Sequence, residues 1–325
     1  MKRKILYLLK NSEDFISGQV ISKKCGLSRT SIWKYINSLK EEGYEIEAVS
    51  RKGYRLISSP DLLSYDEIDE YREAKFIGDE IIYFNSIDST NNYAKEIAFE
   101  KTEGTVITAE EQTSGKGRLG RDWSSPAKKG IYFSIILKPT LAPSQVAKLT
   151  LIGAAAVHLG LKDIDIDTNI KWPNDIVIDG KKVSGILTEM SCELNIINYI
   201  VIGIGINANL DEDDLLDELK EKATSLKIAT GKSIRRNQLL ASVLNHFEKL
   251  YDSFMENLDL EETIKICRKN SALIGKEVRI IRDGGTRYGR AIDINNEGEL
   301  LMQFREGAER IYSGEVSVRG LDNYI

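Results

Sequence analysis

The chain has 325 residues, of which 42% are hydrophobic and 29% are charged. These fractions are ordinary for globular proteins, so they predict a packed core and argue against disorder. No apolar run approaches the roughly 20 residues that a membrane span needs, and the basic start MKRKILYLLK lacks the apolar region of a signal peptide. The sequence therefore predicts two or three domains and no membrane partner.

The cysteines and histidines exclude several kinds of chemistry. Three cysteines, at positions 25, 192 and 267, are too far apart for a metal motif and fit a reducing cytoplasm. His158 and His246 are the only histidines, so His-based metal sites and Ser-His-Asp catalysis have little to work with. We expect both to be packing or surface residues on helices.

The charge is unevenly distributed along the chain. Residues 1–60 hold twelve Lys or Arg and six Asp or Glu, a net charge of +6, whereas the whole chain carries −5. The remainder therefore carries −11. Clustered cations neutralise phosphates, so this pattern indicates a nucleic-acid partner for the first 60 residues.

Residues 1–60 read as three short helices and a hairpin. The second helix covers residues 18–24 and ends at Gly26, and Ser28 caps the third. Two strand-like runs follow, with a basic turn between them. This order is typical of a winged helix-turn-helix, in which the third helix enters the major groove and the wing contacts the backbone. A helical protein-contact domain is the alternative, but the local charge favours DNA. The predicted DNA-binding residues are Ser28, Arg29, Thr30, Ser31, Lys34, Tyr35, Arg51 and Lys52.

After a linker at residues 58–61, the chain mixes helical and strand patterns up to residue 272. Predicted strands cover residues 81–84, 105–109, 130–137 and 200–206, and predicted helices cover residues 91–99, 144–159 and 237–255. This predicts an α+β domain with a mixed or antiparallel sheet. The charge-rich segment 211–222 places three leucines at helical spacing, which favours a solvated helix over a metal site.

Residues 273–325 alternate apolar and polar positions in short runs. Turns at residues 283–285 and 295–298 separate them. We expect a small five-stranded, SH3-like barrel as a third domain. Its strands are predicted at residues 278–281, 288–294, 300–304, 310–313 and 316–319.

The most informative segment is GKGRLGR at residues 115–121. It has a formal G-x-G-x-x-G pattern, but it does not run from a strand directly into a helix as a dinucleotide loop does, and it is not a Walker A loop. What remains is a loop with three cations separated by glycines, a composition suited to phosphate or carboxylate. We expect it to be mobile when empty and to order over an anion. A solvated basic loop is the alternative, which Trp123 argues against because it could form a ligand wall.

Four further segments carry ambiguous signals. DSTN at residues 88–91 could cap a helix or bind a ligand, and KWPND at 171–175 could form a turn or bind ATP and Mg²⁺. KVSGIL at 182–187 combines a lysine with a strand glycine. GIGIN at 203–207 has glycines at alternate positions, which leave one sheet face bare where a flat ligand could lie.

Together these segments resemble the biotin–protein ligases in order and spacing. With the N-terminal head, the chain resembles the bifunctional form, biotin operon repressor and biotin–[acetyl-CoA-carboxylase] ligase, over essentially all 325 residues. The resemblance implies that biotin attacks the α-phosphate of MgATP to give biotinyl-5′-AMP, and that a lysine of biotin carboxyl carrier protein then takes the biotin. It also implies a cytoplasmic protein that binds operator DNA as a homodimer, with the adenylate as co-repressor.

The resemblance also assigns residues. It makes Lys182 the leading catalytic cation, with Arg118 beside it, and Asp175 a ligand for Mg²⁺ through ATP. For the biotin site it implies Ser89, Thr90, Asn91, Gln112, Gly115, Lys116, Gly117, Arg118, Trp123, Lys182 and Gly185. For the ATP site it implies Arg118, Arg121, Asn174, Asp175, Lys182, Gly205, Asn207 and Arg319, with Glu315 near Arg319.

One position departs from the family pattern. The family loop usually reads GRGRxGR, and here Lys116 replaces its first arginine, which keeps the charge but loses the bidentate fork. Two alternatives stay open: a lipoate–protein ligase, which should lack the basic loop and the head, and a transcription factor whose body only senses a ligand. The second should have lost Lys182 or the loop arginines, and this chain retains them.

Overall fold

The computed structural model describes residues 1–282, 285–314, 316–321 and 324–325. It divides into two compact units, Met1–Leu62 and Leu63–Ile325. The first unit has its own core of buried aliphatic residues, and so has the second.

The first unit contains three helices and a hairpin, as predicted. The Ser17 hydroxyl caps the second helix and the Ser28 hydroxyl caps the third, while Gly26 ends the second at φ 68°. Ile5, Ile32 and other aliphatic side chains on the inner helix faces fill the core. The elements are α1 (Lys2–Lys10), α2 (Gly18–Cys25), α3 (Arg29–Glu41), β1 (Glu45–Val49) and β2 (Gly53–Ser58).

The second unit is built on a seven-stranded sheet. Its strands are β3 (Ile81–Phe84), β4 (Val106–Ala109), β5 (Ile131–Leu137), β6 (Asn169–Lys171), β7 (Asp175–Ile178), β8 (Lys181–Glu193) and β9 (Ile196–Ile206). They lie in the order β3-β4-β5-β9-β8-β7-β6. Only the β3–β4 pair among these is parallel, so the sheet is mixed, as predicted.

Helices cover both faces of this sheet. They are α4 (Tyr65–Ile68), α5 (Thr90–Ile97), α6 (Val146–Lys162), α7 (Leu226–Thr230), α8 (Arg236–Asn257) and α9 (Glu261–Lys269). Alternate residues of the central strands divide between the faces: Ile107 and Val201 pack with α5, whereas Val106 and Ile202 join the main core with α6 and α8. The central strands are therefore apolar on both sides, which explains the nearly unbroken apolar run of β5.

Helix α6 is the centre of the main core. The expectation that no apolar run approaches the length of a membrane span is wrong for residues 143–162, which are long and apolar enough to cross a membrane by length and composition. However, 78% of the apolar window in this helix is buried inside the protein. It therefore reads as a core helix. His158 lies within it and is hydrogen-bonded to Thr168, with 2.8 Å between Nδ1 and Oγ1.

The C-terminal part forms a five-stranded antiparallel sheet, which matches the predicted strand count. Its strands are β10 (Glu277–Arg282), β11 (Gly285–Ile294), β12 (Leu300–Phe304), β13 (Gly307–Ile311) and β14 (Ser317–Arg319), in the order β13-β12-β11-β10-β14. Its apolar face belongs to the same core as α6. The buried Trp172 indole donates a hydrogen bond to the Gly298 carbonyl at 2.9 Å, which fixes this sheet against the KWPND segment.

The solvated helix predicted over residues 211–222 is wrong. The segment forms two short 3-10 turns, at Glu212–Asp214 and Asp217–Leu219. The Asp211 carboxylate forms ion pairs with Lys129 Nζ at 2.7 Å and with Lys227 Nζ at 2.5 Å. The end of the segment binds the backbone of Lys182, whose N–H donates to the Lys222 carbonyl at 2.9 Å. Tertiary contacts thus override the helical spacing of the leucines.

Candidate active site and DNA-binding face

The GKGRLGR loop is held by hydrogen bonds across its own base. The Trp123 N–H donates to the Gly115 carbonyl at 2.9 Å, and the Gly117 N–H donates to the Arg121 carbonyl at 2.7 Å. Between them, Arg118–Gly120 makes a single 3-10 turn with Leu119 at φ 58°. The loop therefore presents Arg118 and the Trp123 ring to the sheet.

The bare sheet face predicted from the glycines is covered by the Trp123 indole. A Cβ on Gly205 would lie 2.6 Å from the indole Nε1 and Cε2, and one on Gly185 would lie 3.2 Å from Cζ3. Glycine at these positions therefore allows the ring to approach the backbone. The indole Nε1 is buried and has no hydrogen-bond partner among the described residues, so it is a donor available to a ligand.

One end of the pocket is lined by four uncharged polar side chains, those of Ser89, Thr90, Asn91 and Gln112. The Thr90 N–H and hydroxyl both donate to Gln112 Oε1, at 2.9 and 3.0 Å. Ser134 Oγ lies 2.8 Å from Thr90 Oγ1 and 2.6 Å from Asn91 Oδ1, so its one proton lies between these two acceptors. The Asn91 amide donates to the Glu189 carboxylate at 2.8 Å. The Ser89 hydroxyl caps α5. Thr90, Asn91 and Ser134 are nearly inaccessible to solvent, so this end is preorganised to offer hydrogen bonds to a neutral polar ring.

The other end of the pocket is cationic. Lys182 Nζ lies 2.6 Å from Asp175 Oδ1 and 5.1 Å from the Trp123 ring centroid. Arg118 donates to Asn174 Oδ1 at 2.9 Å and to the Ser313 carbonyl at 2.7 Å, which joins the loop to the C-terminal sheet. Burial lowers the pKa of Arg118 from its usual value, but an arginine stays charged. Lys182 and Arg118 therefore place two fixed cations at the end of the pocket opposite the uncharged polar groups.

A second cavity adjoins this cationic end. Lys171, Arg121 and Arg319 line it together with Asp175 and Tyr324. Burial lowers the pKa of Lys171 to about 6, against the opposing effect of Asp175. Burial alone would raise the pKa of Asp175, but Lys182 and Lys171 hold it below its usual value. Burial, with Asp175 beside it, raises the pKa of Tyr324, so the phenol keeps its proton.

Most of the predicted site residues line these two cavities. Gly115 and Asn207 lie beside them: Gly115 closes the base of the loop, and the Asn207 amide donates to the Thr224 carbonyl at 3.0 Å. Glu315 lies outside the described residues. The predicted residues that line one or both cavities are Ser89, Thr90, Asn91, Gln112, Lys116, Gly117, Arg118, Arg121, Trp123, Asn174, Asp175, Lys182, Gly185, Gly205 and Arg319.

Four residues of the site were missed from the sequence, and one of them, Lys171, stands in the KWPND motif beside two residues that were predicted. Ser134 is the one polar residue of the buried strand β5, a pattern that could have identified it. Glu189 lies midway along β8, 98 residues from its partner Asn91, so nothing local marked it. Tyr324 comes from the C-terminal tail and had no motif around it.

The first unit presents the predicted DNA-binding face. Arg29, Thr30 and Lys34 are exposed on α3, and Arg51 and Lys52 are exposed at the hairpin turn, where Arg51 adopts φ 68°. Ser28 and Ser31 bond to each other at 2.9 Å.

Two features of α3 differ from expectation. Tyr35, predicted to face outward, is half-buried and packs against the core of the unit because it lies between the inward positions of α3. Trp33, which no pattern singled out, is 55% exposed on the same helix. The outward face of α3 therefore carries an aromatic side chain as well as cations and hydroxyls.

Comparisons with known families cover all three parts of the chain. Residues 83–207 match the Biotin/lipoate A/B protein ligase family, residues 2–55 match an HTH domain, and residues 273–319 match the Biotin protein ligase C terminal domain.

Relatives of known description span nearly the whole length. The bifunctional ligase/repressor BirA of Bacillus subtilis is 44% identical over 94% of both chains, and that of Escherichia coli is 28% identical over 98% of this chain and 97% of its own. A solved structure, biotin protein ligase from Aquifex aeolicus in complex with biotin and ATP, has a TM-score of 0.67 and 33% identity, covering 74% of this chain and 99% of its own. This chain therefore belongs to the biotin–protein ligase family, in its bifunctional ligase/repressor form.

Proposed function

We propose that this protein joins biotin to ATP in the pocket under Trp123, forming biotinyl-5′-AMP and pyrophosphate, and then transfers biotin to a lysine of a biotin carboxyl carrier protein. The observation that carries the proposal is the division of one pocket into a neutral hydrogen-bonding end and a cationic end. A ligand with a polar ring at one end and a carboxylate at the other matches that division. The relatives' ligase activity supports the same reading.

The neutral end suits the ureido ring of biotin. Gln112, Thr90 and Ser89 supply donors and acceptors that are already oriented, and Asn91 with Ser134 extends the network. The Trp123 indole and Gly185 shape the slot between loop and sheet. Lys116, at the rim, lies 3.3 Å from Asn92 Oδ1, so it acts at the mouth of the pocket.

The cationic end suits the reacting groups. In the first step a biotin carboxylate oxygen bonds to the α-phosphorus, and the bond from phosphorus to the pyrophosphate oxygen breaks. Lys182 and Arg118 would stabilise the negative charge that spreads over the phosphate. In the second step a carrier lysine attacks the acyl carbon, and AMP leaves.

The second cavity suits the rest of the nucleotide. Arg121 and Arg319 are cations placed for phosphates, and Asn174 and Asp175 line the same cavity. Two residues predicted for ATP lie elsewhere: Gly205 lines the first cavity, and the Asn207 amide donates to the Thr224 carbonyl. Among the described residues, no group of three or more His, Cys, Asp or Glu is placed to hold a metal. Mg²⁺ usually takes one or two carboxylates plus phosphate oxygens, so it would arrive with ATP and take Asp175 at most.

The direct test is incubation of the full chain with biotin, MgATP and a carrier domain. We expect a mass increase on one carrier lysine, and pyrophosphate exchange into ATP that requires biotin. Exchange that proceeds equally without biotin would refute the ligase assignment.

The role of Lys182 has its own test. Lys182→Ala should lower the single-turnover rate of adenylate formation more than tenfold, which corresponds to about 1.4 kcal/mol or more in the barrier. The matched control is Lys181→Ala, which removes the neighbouring lysine, whose Nζ donates to the Lys220 carbonyl. An unchanged rate for Lys182→Ala would mean that the catalytic cation is misassigned.

The first unit supports a repressor function. We propose that it binds an operator near biotin genes as a homodimer with biotinyl-5′-AMP as co-repressor, because one recognition helix reads only a half-site. The three free thiols fit a cytoplasmic location. A gel-shift assay should show tighter binding when biotin and ATP are both present. Equal binding with and without them would contradict the co-repressor role.

A further inference from the structure

The side chain of Tyr324, from the C-terminal tail, lies inside the second cavity. It is only 7% exposed, although it is the penultimate residue of the chain. Its hydroxyl donates a hydrogen bond to Asp175 Oδ2. The tail thus contributes a buried polar side chain to the second cavity.

Asp175 connects this hydroxyl to the catalytic cation. Its other oxygen, Oδ1, lies 2.6 Å from Lys182 Nζ. The backbone of Asp175 is fixed because β7 pairs with β6 on one side and β8 on the other. The side chain can still rotate, and the two partners together select one orientation. A single buried carboxylate therefore transmits the position of the phenol to Lys182.

The ring of Tyr324 also contacts two basic side chains. Lys171 Nζ lies 3.2 Å from the ring centroid, and Arg319 Cζ lies 4.5 Å from it. Aromatic faces attract cations, so the ring gives the permanently charged Arg319 a favourable neighbour without adding a charge. Without the hydroxyl, Asp175 Oδ2 would lose its donor in a buried position, and the carboxylate could turn toward Lys171.

We propose that Tyr324 is a positioning residue for adenylation: through Asp175 it holds Lys182 Nζ where the biotin carboxylate meets the α-phosphate. The inference rests on the proposed function and deepens it. Because the neutral end of the pocket makes none of these contacts, loss of the hydroxyl should slow the chemical step and leave biotin binding unchanged.

The test uses the full chain with Tyr324→Phe, which keeps the ring and removes the hydroxyl. We expect the single-turnover rate of biotinyl-5′-AMP formation to fall about tenfold, since a buried acceptor is left unpaired. The dissociation constant of biotin, measured by calorimetry, should stay within about twofold because its own contacts are untouched. Tyr288→Phe, on the exposed face of β11, is the matched control and should retain the wild-type rate.

A double-mutant cycle with Asp175→Asn distinguishes a positioning role of Tyr324 from a general effect of Tyr324 on the structure. If Tyr324 acts through the carboxylate, Tyr324→Phe should change the rate by less than about twofold in the Asp175→Asn background. All rates are measured well below each variant's melting temperature, so that a loss of stability does not lower the folded fraction. Additive losses, or an equal weakening of biotin binding, would overturn the positioning role.

Failure of the proposed function and failure of the role of Tyr324 give different results. If the wild-type chain shows no biotin-dependent pyrophosphate exchange, the ligase assignment itself fails. If the wild-type chain is active and Tyr324→Phe matches it in rate, only the role of Tyr324 fails.

Discussion

At the scale of single residues, the site depends on three glycines as much as on its polar side chains. Gly203, Gly205 and Gly185 lie on neighbouring strands β9 and β8. Three pocket side chains, Asn91, Trp123 and Lys182, occupy the space that a Cβ on these glycines would take. Asn91 Oδ1 would lie 2.1 Å from a Cβ on Gly203. The glycines therefore bring loop and helix side chains down to the sheet, and the pocket forms above them.

Gly205→Ala tests this arrangement. A methyl group there meets the Trp123 indole at 2.6 Å, so the ring must move outward and open the slot. We expect biotin affinity, measured by calorimetry, to fall at least about tenfold, or 1.4 kcal/mol. Gly153→Ala is the matched control, since its Cβ would meet Ile186 no closer than 3.4 Å on the opposite face of the sheet. Equal affinity in both variants would mean that Trp123 does not form the wall.

How much of this site the sequence could predict follows from how local each signal is. GKGRLGR, KWPND and the alternating glycines are contiguous patterns, so each can be recognised from a short stretch of sequence. Tyr324 and Asp175 are 149 residues apart in sequence, and the tertiary fold brings them together. No spacing rule reports such a contact, and the same holds for Glu189.

At the scale of elements, apolar periodicity was the reliable guide. The four strands and three helices that were given bounds in the second unit end within four residues of the observed ends, whereas β6, β7 and β8 were given no bounds. The exceptions are segments whose conformation is set by contacts elsewhere. Residues 211–222 have leucines at helical spacing, but Lys129 and Lys227 form ion pairs with Asp211. The Lys222 carbonyl, at the end of the segment, accepts a hydrogen bond from the Lys182 N–H of strand β8. Helix α9 was missed in the stretch between α8 and the C-terminal sheet.

Helix α6 supports a prediction about pH, because it buries His158 in the neutral form. Burial, and then Lys162, lower the pKa of His158, while Asp167 opposes them. Below about pH 6.5 the unfolded chain binds a proton that the folded chain does not, so stability must fall as pH falls through that value. The slope approaches about 1.4 kcal/mol per pH unit and flattens below the folded-state pKa.

Urea unfolding of the wild type and of His158→Gln from pH 8 to pH 5 measures this slope. At pH 8 both side chains are neutral, so the difference there gives the cost of the substitution itself. Between pH 7 and pH 5 the wild type should lose more stability than the variant. Parallel curves would mean that His158 takes up its proton equally in both states.

At the scale of the whole molecule, the net positive charge lies in the first unit and the net negative charge in the second. Met1–Leu62 carries the cations needed for DNA and has its own core, whereas the pocket, the C-terminal sheet and most of the acidic residues belong to Leu63–Ile325. The negative charge of the second unit disfavours non-specific binding to DNA. The two proposed activities should therefore respond differently to salt and to surface charge.

Arg29→Ala and Arg51→Ala test this separation. Each removes one exposed cation from the DNA-binding face, so we expect weaker operator binding and a salt dependence reduced by about one unit in the slope of log K against log salt. Biotin transfer should stay at the wild-type rate, since the pocket lies in the other unit. Lys232→Ala, an exposed lysine of the second unit, removes the same charge and serves as the control. If that variant weakened DNA binding as much, total charge would account for the affinity and the face formed by α3 and the hairpin would not.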